Sequence, residues 1–339
     1  MEPPPRAMDA AVALALEHYD LDGARATFIL ASENTVYRLD TADGARYVLR
    51  VHRPGSHSLA ALESESAWTT ALSDAGIETP RPRSTRNGSR FATVPYGNEG
   101  ETRYVGLMEW IEGELLQDVA ARADAHLEAV LGGLGGLMAR MHTQAVGFET
   151  PPGFVRHVLD GEGLIGDDPW WGPFWHVPEF SSNERPLILD ARSRIRRALE
   201  RYGTGRDVFS LIHADLLPTN VLVRTDGRVS AIDFDDTAFG WHLYDIAVAL
   251  HEFTQHARFD QLRAAFLAGY RQHRSLAEED VALLPLFLLI RCMVEIGWFD
   301  SRLQGHLTYR RGASNDRETL IAPLARQAVS LAEQVLPTL

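Results

Sequence analysis

The feature that most limits how this chain can fold is a change of periodicity near Gly113. Before it, short runs rich in β-branched and aromatic residues read as strands bounded by turn signals. They are Phe28–Leu30, Val36–Leu39, Tyr47–His52, Phe91–Pro95 and Tyr104–Trp110. Asp43-Gly44 supplies a hairpin between the second and third, and Asn87-Gly88 and Asn98 to Gly100 supply later turns. A short helix is expected over Ala10–His18, after a frayed Pro3–Pro5 extension. A longer one is expected over Ser58–Asp74, where Leu59, Leu62, Trp68 and Leu72 fall near one face and Gly76 can close the end.

Beyond Gly113 the pattern becomes helical, at Asp124–Gln144, Leu187–Tyr202, Tyr244–Thr254, Phe259–His273, Glu278–Asp300 and Arg317–Leu336. Only Leu211–Asp236 interrupts it with short β-like runs. Strands first and helices afterwards make an α+β arrangement. The expected division is an N-terminal lobe over 1–108, a hinge over 109–113 and a helical lobe over 114–339. Residues 148–186 are irregular, rich in Trp, Pro and Gly, and too long for an idle connection, which suggests a functional insertion.

Composition narrows the function classes. With 339 residues, 45% hydrophobic and 23% charged, there is material for a core in each of two lobes. A net charge of -13 argues against a nucleic-acid partner, which needs clustered Lys and Arg. The same charge is compatible with a cationic substrate, but acidity of this kind more often serves solubility alone. The single cysteine, Cys292, excludes an intrachain disulfide and a Cys-based zinc site, and it reads as a small core residue. Met1 to Leu16 does not read as a signal peptide, and the apolar run Val281–Val294 is short for a membrane span and carries Arg291. The expected location is cytoplasmic, with no membrane partner.

The chemistry concentrates in Leu211-Ile-His-Ala-Asp-Leu-Leu-Pro-Thr-Asn220, then Val221-Leu-Val, a turn at Asp226-Gly227, and Ala231-Ile-Asp-Phe-Asp-Asp236. Two apolar strands flank a hairpin, and each brings oxygen-bearing side chains to its end. Phosphoryl transfer asks for that grouping: a carboxylate to orient the attacking hydroxyl, and hard oxygen ligands for the cation on the nucleotide phosphates. An isolated Asp near a turn is usually only a turn residue, so the weight rests on the combination.

The run His213-x-Asp215 with Asn220, followed by Ile232-Asp233-Phe234-Asp235 and by Gly240, Tyr244 and Asp245, resembles the aminoglycoside phosphotransferase and choline kinase superfamily. The resemblance extends over Phe28–Leu39, Tyr47–Pro80, Met108–Gly113, Gly135–His142 and Leu211–Leu250. It implies a protein-kinase-like two-lobed fold, with a small antiparallel-sheet nucleotide-binding lobe and a helical catalytic lobe, and ATP and Mg2+ at their junction. By the same resemblance Asp215 is the catalytic carboxylate and Asn220 and Asp233 are the metal ligands. Asp235 either assists the metal or meets a cationic substrate. His213 braces the loop, and Asp245 accepts backbone N–H groups from it. In the first lobe the resemblance places Ser32, Asn34 and Thr35 in a loop over the phosphates. It aligns Arg50 with a phosphate contact that is usually Lys, two residues that are not interchangeable. Arg50's partner would be Glu65, or failing that Glu63. The backbone of Glu109 and Ile111 would meet the adenine, with Met108 behind it.

The expected reaction moves the γ-phosphate of Mg-ATP to a hydroxyl of a small molecule, an amino alcohol or hydroxy amino acid, in a monomer or homodimer. An aminoglycoside-type antibiotic kinase, a protein Ser/Thr kinase and a non-catalytic nucleotide-binding module remain the alternatives. Trp170, Trp171, Phe174 and Trp175 either wall a cationic substrate or pack the insertion onto the C-terminal helices. Asp167, Asp168, Glu252, Glu295 and Asp300 are acidic candidates for a cationic group.

Overall fold

The computed structural model describes residues 6–21, 23–97, 100–122, 126–304 and 316–339. The expected extension at Pro3–Pro5, the Asn98 turn and Asp124 lie outside them. The chain forms two compact units, one of Met1–Gly113 with Glu149–Arg156, the other of Glu114–Phe148 with His157–Leu339.

In the first unit α1 (Arg6–His18) precedes β1 (Arg25–Ala31), β2 (Thr35–Asp40) and β3 (Arg46–Val51). Then come α2 (Leu59–Asp74), β4 (Pro82–Arg83), β5 (Phe91–Tyr96) and β6 (Glu101–Glu109). The sheet order is β1-β2-β3-β6-β4 with β5 also on β6, and every pairing is antiparallel. Alternation decides its faces. Tyr37 and Leu39, Leu49 and Val51, Ala92 and Val94, and Val105 and Leu107 share one buried cluster with Met8, Ala11, Val12 and Ala15 of α1. Tyr19 clamps that helix in place, its hydroxyl donating to the carbonyl of Val105 at 2.8 Å.

Capping sets the ends of α2. Ser58 Oγ accepts from Ala61 N–H at 3.2 Å, satisfying one of the first-turn donors. At the other end Gly76 takes φ +77° and Ile77 N–H returns to the Leu72 carbonyl at 3.0 Å, the αL closure that glycine permits without a Cβ clash. Leu62, Trp68 and Leu72 are fully buried, while Leu59 is left exposed at the helix start. Val155 N–H donates to Ser64 Oγ at 2.8 Å and Arg156 Nη1 to the Ala61 carbonyl at 3.2 Å, which ties the returning segment to α2.

The second unit runs β7 (Glu114–Leu115), α3 (Leu116–Arg122), α4 (Leu127–Gly147), β8 (Val158–Leu159), α5 (Gly161–Ile165) and α6 (Glu184–Tyr202). It continues with β9 (Phe209–Ile212), β10 (Val221–Val223), β11 (Val229–Ala231), β12 (Ala238–Trp241), α7 (His242–His251) and α8 (Phe259–Arg271). It ends with α9 (Glu278–Val281), α10 (Leu284–Gln304), α11 (Arg317–Leu320) and α12 (Ala322–Val335). Two three-stranded ribbons, β11-β10-β7 and β8-β12-β9, carry the loops of interest. The helices expected over Glu278–Asp300 and Arg317–Leu336 are each broken near their start. Pro285 and Pro323 have no N–H to extend the preceding turn, and each opens a new helix instead.

α10 has a stretch apolar and long enough to cross a membrane, but in the fold it is mostly buried and packs against α7 and α12. Cys292 on this helix is buried and free. The aromatic run packs inward in large part. Trp171, Phe174 and Trp175 are buried, Gly172 lies against Gly297 and Ser301 of α10, and Trp170 is exposed and stacked on His157 with centroids 4.1 Å apart.

α4 and α8 touch through glycine. A Cβ on Gly269 would stand 1.9 Å from the Gly132 carbonyl, and one on Gly135 would stand 2.0 Å from the Phe266 carbonyl. Neither backbone can yield without separating the helices, so Gly269→Ala should cost about 1–3 kcal/mol. A thermal melt should register this as a midpoint lowered by several degrees. An unchanged midpoint would show that the helices can part freely.

Candidate active site

β9 delivers the chain into the loop 213–220, and the β10–β11 hairpin carries it on to 233–236. Ile232 N–H donates to the Asn220 carbonyl at 2.9 Å, so the positions of Asn220 and Asp233 are set together. Asn220 Nδ2 donates to both the carbonyl and Oδ2 of Asp215, each at 2.8 Å. Its two amide protons are thereby committed to Asp215, and the amide oxygen is the atom it has to offer a cation.

His213 is wholly buried, with Nε2 3.1 Å from the Ile232 carbonyl and Nδ1 accepting from Asp215 N–H at 3.3 Å. It pins the loop to the strand ahead of Asp233. Ala214 and Asp233 both hold positive φ, at +66° and +63°. For non-glycine residues such backbone costs on the order of 1–3 kcal/mol and persists only where the surroundings enforce it.

The enforcing group beneath the loop is Asp245. Its carboxylate accepts from Ala214 N–H at 2.8 Å, from His213 N–H at 3.2 Å and from His142 Nε2 at 3.0 Å. Because the Asp245 carboxylate only accepts, the His142 proton sits on Nε2, and Nδ1 accepts from the Tyr270 hydroxyl at 2.9 Å. Burial pushes the His142 imidazolium down to about 3, and His242, stacked on it at 4.3 Å, is lowered as well, mainly by burial. Both rings are held neutral in the fold but protonate near 6.5 once unfolded. Their contribution to stability is therefore complete above that value and is lost as pH falls below it. Burial raises Asp245 and Asp215, and these act in the opposite sense. His142→Asn should flatten the decline in melting temperature between pH 6.5 and 5 (roughly the upper part of the window). An identical decline would remove His142 as a cause.

Asp215 is half-buried, and its carboxyl is held well above the ordinary carboxylate range. Burial is the main cause; Asp236 adds most among its acidic neighbours, Asp233 and Glu295 add less, and Arg291 opposes them. Asp236, Arg291 and Glu295 thus enter the electrostatics of this site, although the sequence motif assigned a role to none of them there. The adjacency of Asp236 to the Asp233-Phe-Asp run was the available signal. No sequence spacing connects Arg291 to Asp215. Asp235 is half-buried in the turn after Phe234, whose ring packs at 4.5 Å from His213.

The donor set suits a hard divalent cation. Asn220 and Asp233 are oxygen donors on adjoining, backbone-locked segments, and the clustered carboxylates raise the proton affinity of Asp215 in its absence. A proton or a cation relieves such crowding, and only the cation leaves Asp215 free to accept a hydrogen bond from a hydroxyl.

In the first unit Arg50 is buried, with Nη1 3.1 Å from Glu65 Oε1. Both residues line a cavity with His52, Thr69, Phe91 and Met108. Gly106 also borders it, where a Cβ would fall 2.8 Å from the Phe91 ring. Glu63 is not the partner. In the β1–β2 turn Ser32 N–H donates to the Asn34 carbonyl at 3.0 Å, Asn34 Oδ1 accepts from Arg53 N–H at 3.3 Å, and Thr35 opens β2. Glu109 gives its N–H to the Arg81 carbonyl at 2.9 Å, and Ile111 follows β6 half-buried.

A family model described as "Phosphotransferase enzyme family" matches residues 26–280. The chain belongs to the phosphotransferase enzyme family. Its fold is protein-kinase-like, and it is an ATP-dependent phosphotransferase with a hydroxyl acceptor. Among solved structures this phosphotransferase is similar to a microcompartment-associated aminopropanol kinase, at 30% identity and TM-score 0.81, covering 97% of this chain and 98% of that one. It is also similar to an amicoumacin kinase solved in complex with AMP-PNP, Ca2+ and Ami, at 22% identity and TM-score 0.75, covering 96% and 94%. A homoserine kinase of Methylobacillus glycogenes is 28% identical over 265 residues, 76% of this chain and 73% of that protein.

Proposed function

We propose that this phosphotransferase moves the γ-phosphate of Mg-ATP to the hydroxyl of a small amino alcohol or hydroxy amino acid in the cytoplasm. The observation that carries the reading is the Asp215 cluster, in which Asn220, Asp233 and Asp236 gather around one half-buried carboxylate. The similarity to an aminopropanol kinase and a homoserine kinase supports the acceptor class.

In this reading Asp215 accepts a hydrogen bond from the acceptor hydroxyl and turns its oxygen lone pair toward the γ-phosphorus. As the new O–P bond forms, the bond from that phosphorus to the β,γ-bridging oxygen breaks, ADP leaves, and the hydroxyl proton passes to Asp215 and then to solvent. Asn220 and Asp233 would hold the cation, and Asn220 also fixes the rotamer of Asp215. The cation would neutralise charge on the phosphates. The AMP-PNP and Ca2+ bound to the amicoumacin kinase support a nucleotide and a divalent ion here. Arg50, oriented by Glu65, serves as a phosphate contact of the first unit, beneath the turn of Ser32, Asn34 and Thr35, and Glu109 and Ile111 offer backbone groups to adenine.

Asp233→Asn is the informative test of the metal assignment, because Asn tolerates the positive φ at this position. Mg-ATP affinity measured by calorimetry should fall by about tenfold or more, since losing a ligand should cost no less than losing a group that orients one. Unchanged affinity would remove Asp233 from the metal.

A further inference from the structure

A second charged cluster lies where α7 ends beside α10. His251 closes α7 and is only 4% exposed, while Glu252 follows it at the surface. Glu295 of α10 brings Oε2 to 3.2 Å from His251 Nδ1. One ligand-type atom from each of the three residues lies within 4.8 Å of the other two. The 3.2 Å approach is off-line for a hydrogen bond, and neither nitrogen of the buried His251 ring has a hydrogen-bond partner. Burying an imidazole in this way is costly, and a donor arriving between these groups would relieve the cost. Arg291, one turn before Glu295, brings Nε to 4.0 Å from the same carboxylate oxygen. Arg291 and Glu295 are also the α10 groups within electrostatic reach of Asp215.

We infer that Glu295, Glu252 and His251 form a socket for a primary ammonium on the acceptor whose hydroxyl meets Asp215, so that the substrate class is a primary amino alcohol. The inference rests on the kinase reading above. An R-NH3+ group carries three donors, and two carboxylates with an imidazole lone pair supply three acceptors. Hydrogen bonds of about 2.8 Å in tetrahedral directions set their acceptors roughly 4–5 Å apart; the cluster as a whole lies within 4.8 Å, and Glu295 would have to swing off its 3.2 Å approach to His251 to complete the set. The 3.2 Å pair by itself would also fit a four-coordinate ion with bonds of about 2.0–2.1 Å, but a divalent charge there would stand directly against Arg291, whose Nε is 4.0 Å from Glu295 Oε2. The acidic pair also repels a carboxylate on the acceptor, which ranks a hydroxy amino acid below the corresponding amino alcohol.

The test compares kcat/KM of the full chain for 1-amino-2-propanol, propane-1,2-diol and homoserine, in the wild type, Glu295→Gln and the surface variant Glu252→Gln. The wild type should prefer the amine over the diol by about 100-fold and over homoserine by about tenfold. Each Gln variant should shrink the amine-to-diol ratio by about tenfold, mainly through KM for the amine, with the dissociation constant for Mg-ATP held within about twofold. Turnover with no amine preference, or with a preference that survives both substitutions, overturns the socket while the kinase reading stands. So does Zn2+ or Mn2+ binding to nucleotide-free protein that is lost in His251→Asn, which would make the cluster a metal site. A wild type that neither binds Mg-ATP nor phosphorylates any of the three overturns the kinase reading and the socket together.

Discussion

Asp215→Asn should lower kcat by about 10²–10⁴ while leaving Mg-ATP affinity and folding intact. Asn keeps an oxygen for the Asn220 Nδ2 bond, so the 2.8 Å contact that orients the side chain survives. The basicity that aligns the acceptor hydroxyl and takes its proton does not. Because burial, Asp236, Asp233 and Glu295 all disfavour the charge at this position, neutralising it should also raise the melting temperature. Activity and stability are expected to move in opposite directions, a signature that a merely structural carboxylate would not give. Assays of kcat, nucleotide affinity and thermal midpoint on the same preparation decide it. Loss of nucleotide affinity with kcat little changed would reassign Asp215 to the metal.

Asp245→Ala should produce the largest loss of stability. Asp245 is fully buried, and three donors converge on its carboxylate. Removing it strands two buried backbone N–H groups and the His142 ring and withdraws the contact that holds Ala214 at φ +66°. Breaking such a network costs about 3–5 kcal/mol, a midpoint lowered by roughly 10 °C in a unit of this size. Asp245→Asn retains one acceptor and should lose less. Since Asp245 supports the loop without touching substrate, a partly folded Asp245→Asn protein should lose kcat more than Mg-ATP affinity. Equal stability in the Ala variant would mean that the loop is held by other means.

Much of the architecture could be read from residue pattern because it rests on local signals. The Asp43-Gly44 hairpin, the Ser58 and Gly76 ends of α2 and the alternation of Leu49 and Val51 each act within a few residues. The resemblance put Glu65 ahead of Glu63 as the partner of Arg50, and the ion pair in the structure is with Glu65. The resemblance also anticipated the two N–H bonds that Asp245 accepts from the loop. What escaped was long-range. His142 and Tyr270 stand 128 positions apart and meet only because α4 and α8 approach through Gly132, Gly135 and Gly269. β8 and β12 are two and four residues long, too short for any periodicity to mark them. His251 and Glu295 sit on different helices, and nothing in the spacing between them announces a shared cluster.

The first unit is not one uninterrupted stretch of chain. Its helix α2 is completed by Val155 and Arg156, which are synthesised only after all of α4. A fragment ending at Gly113 would therefore lack two of the bonds on α2 and should be less protected there from proteolysis than the intact protein. During translation, too, that helix waits for a segment about eighty residues downstream before its surface is finished, so the order of folding cannot simply follow the order of synthesis.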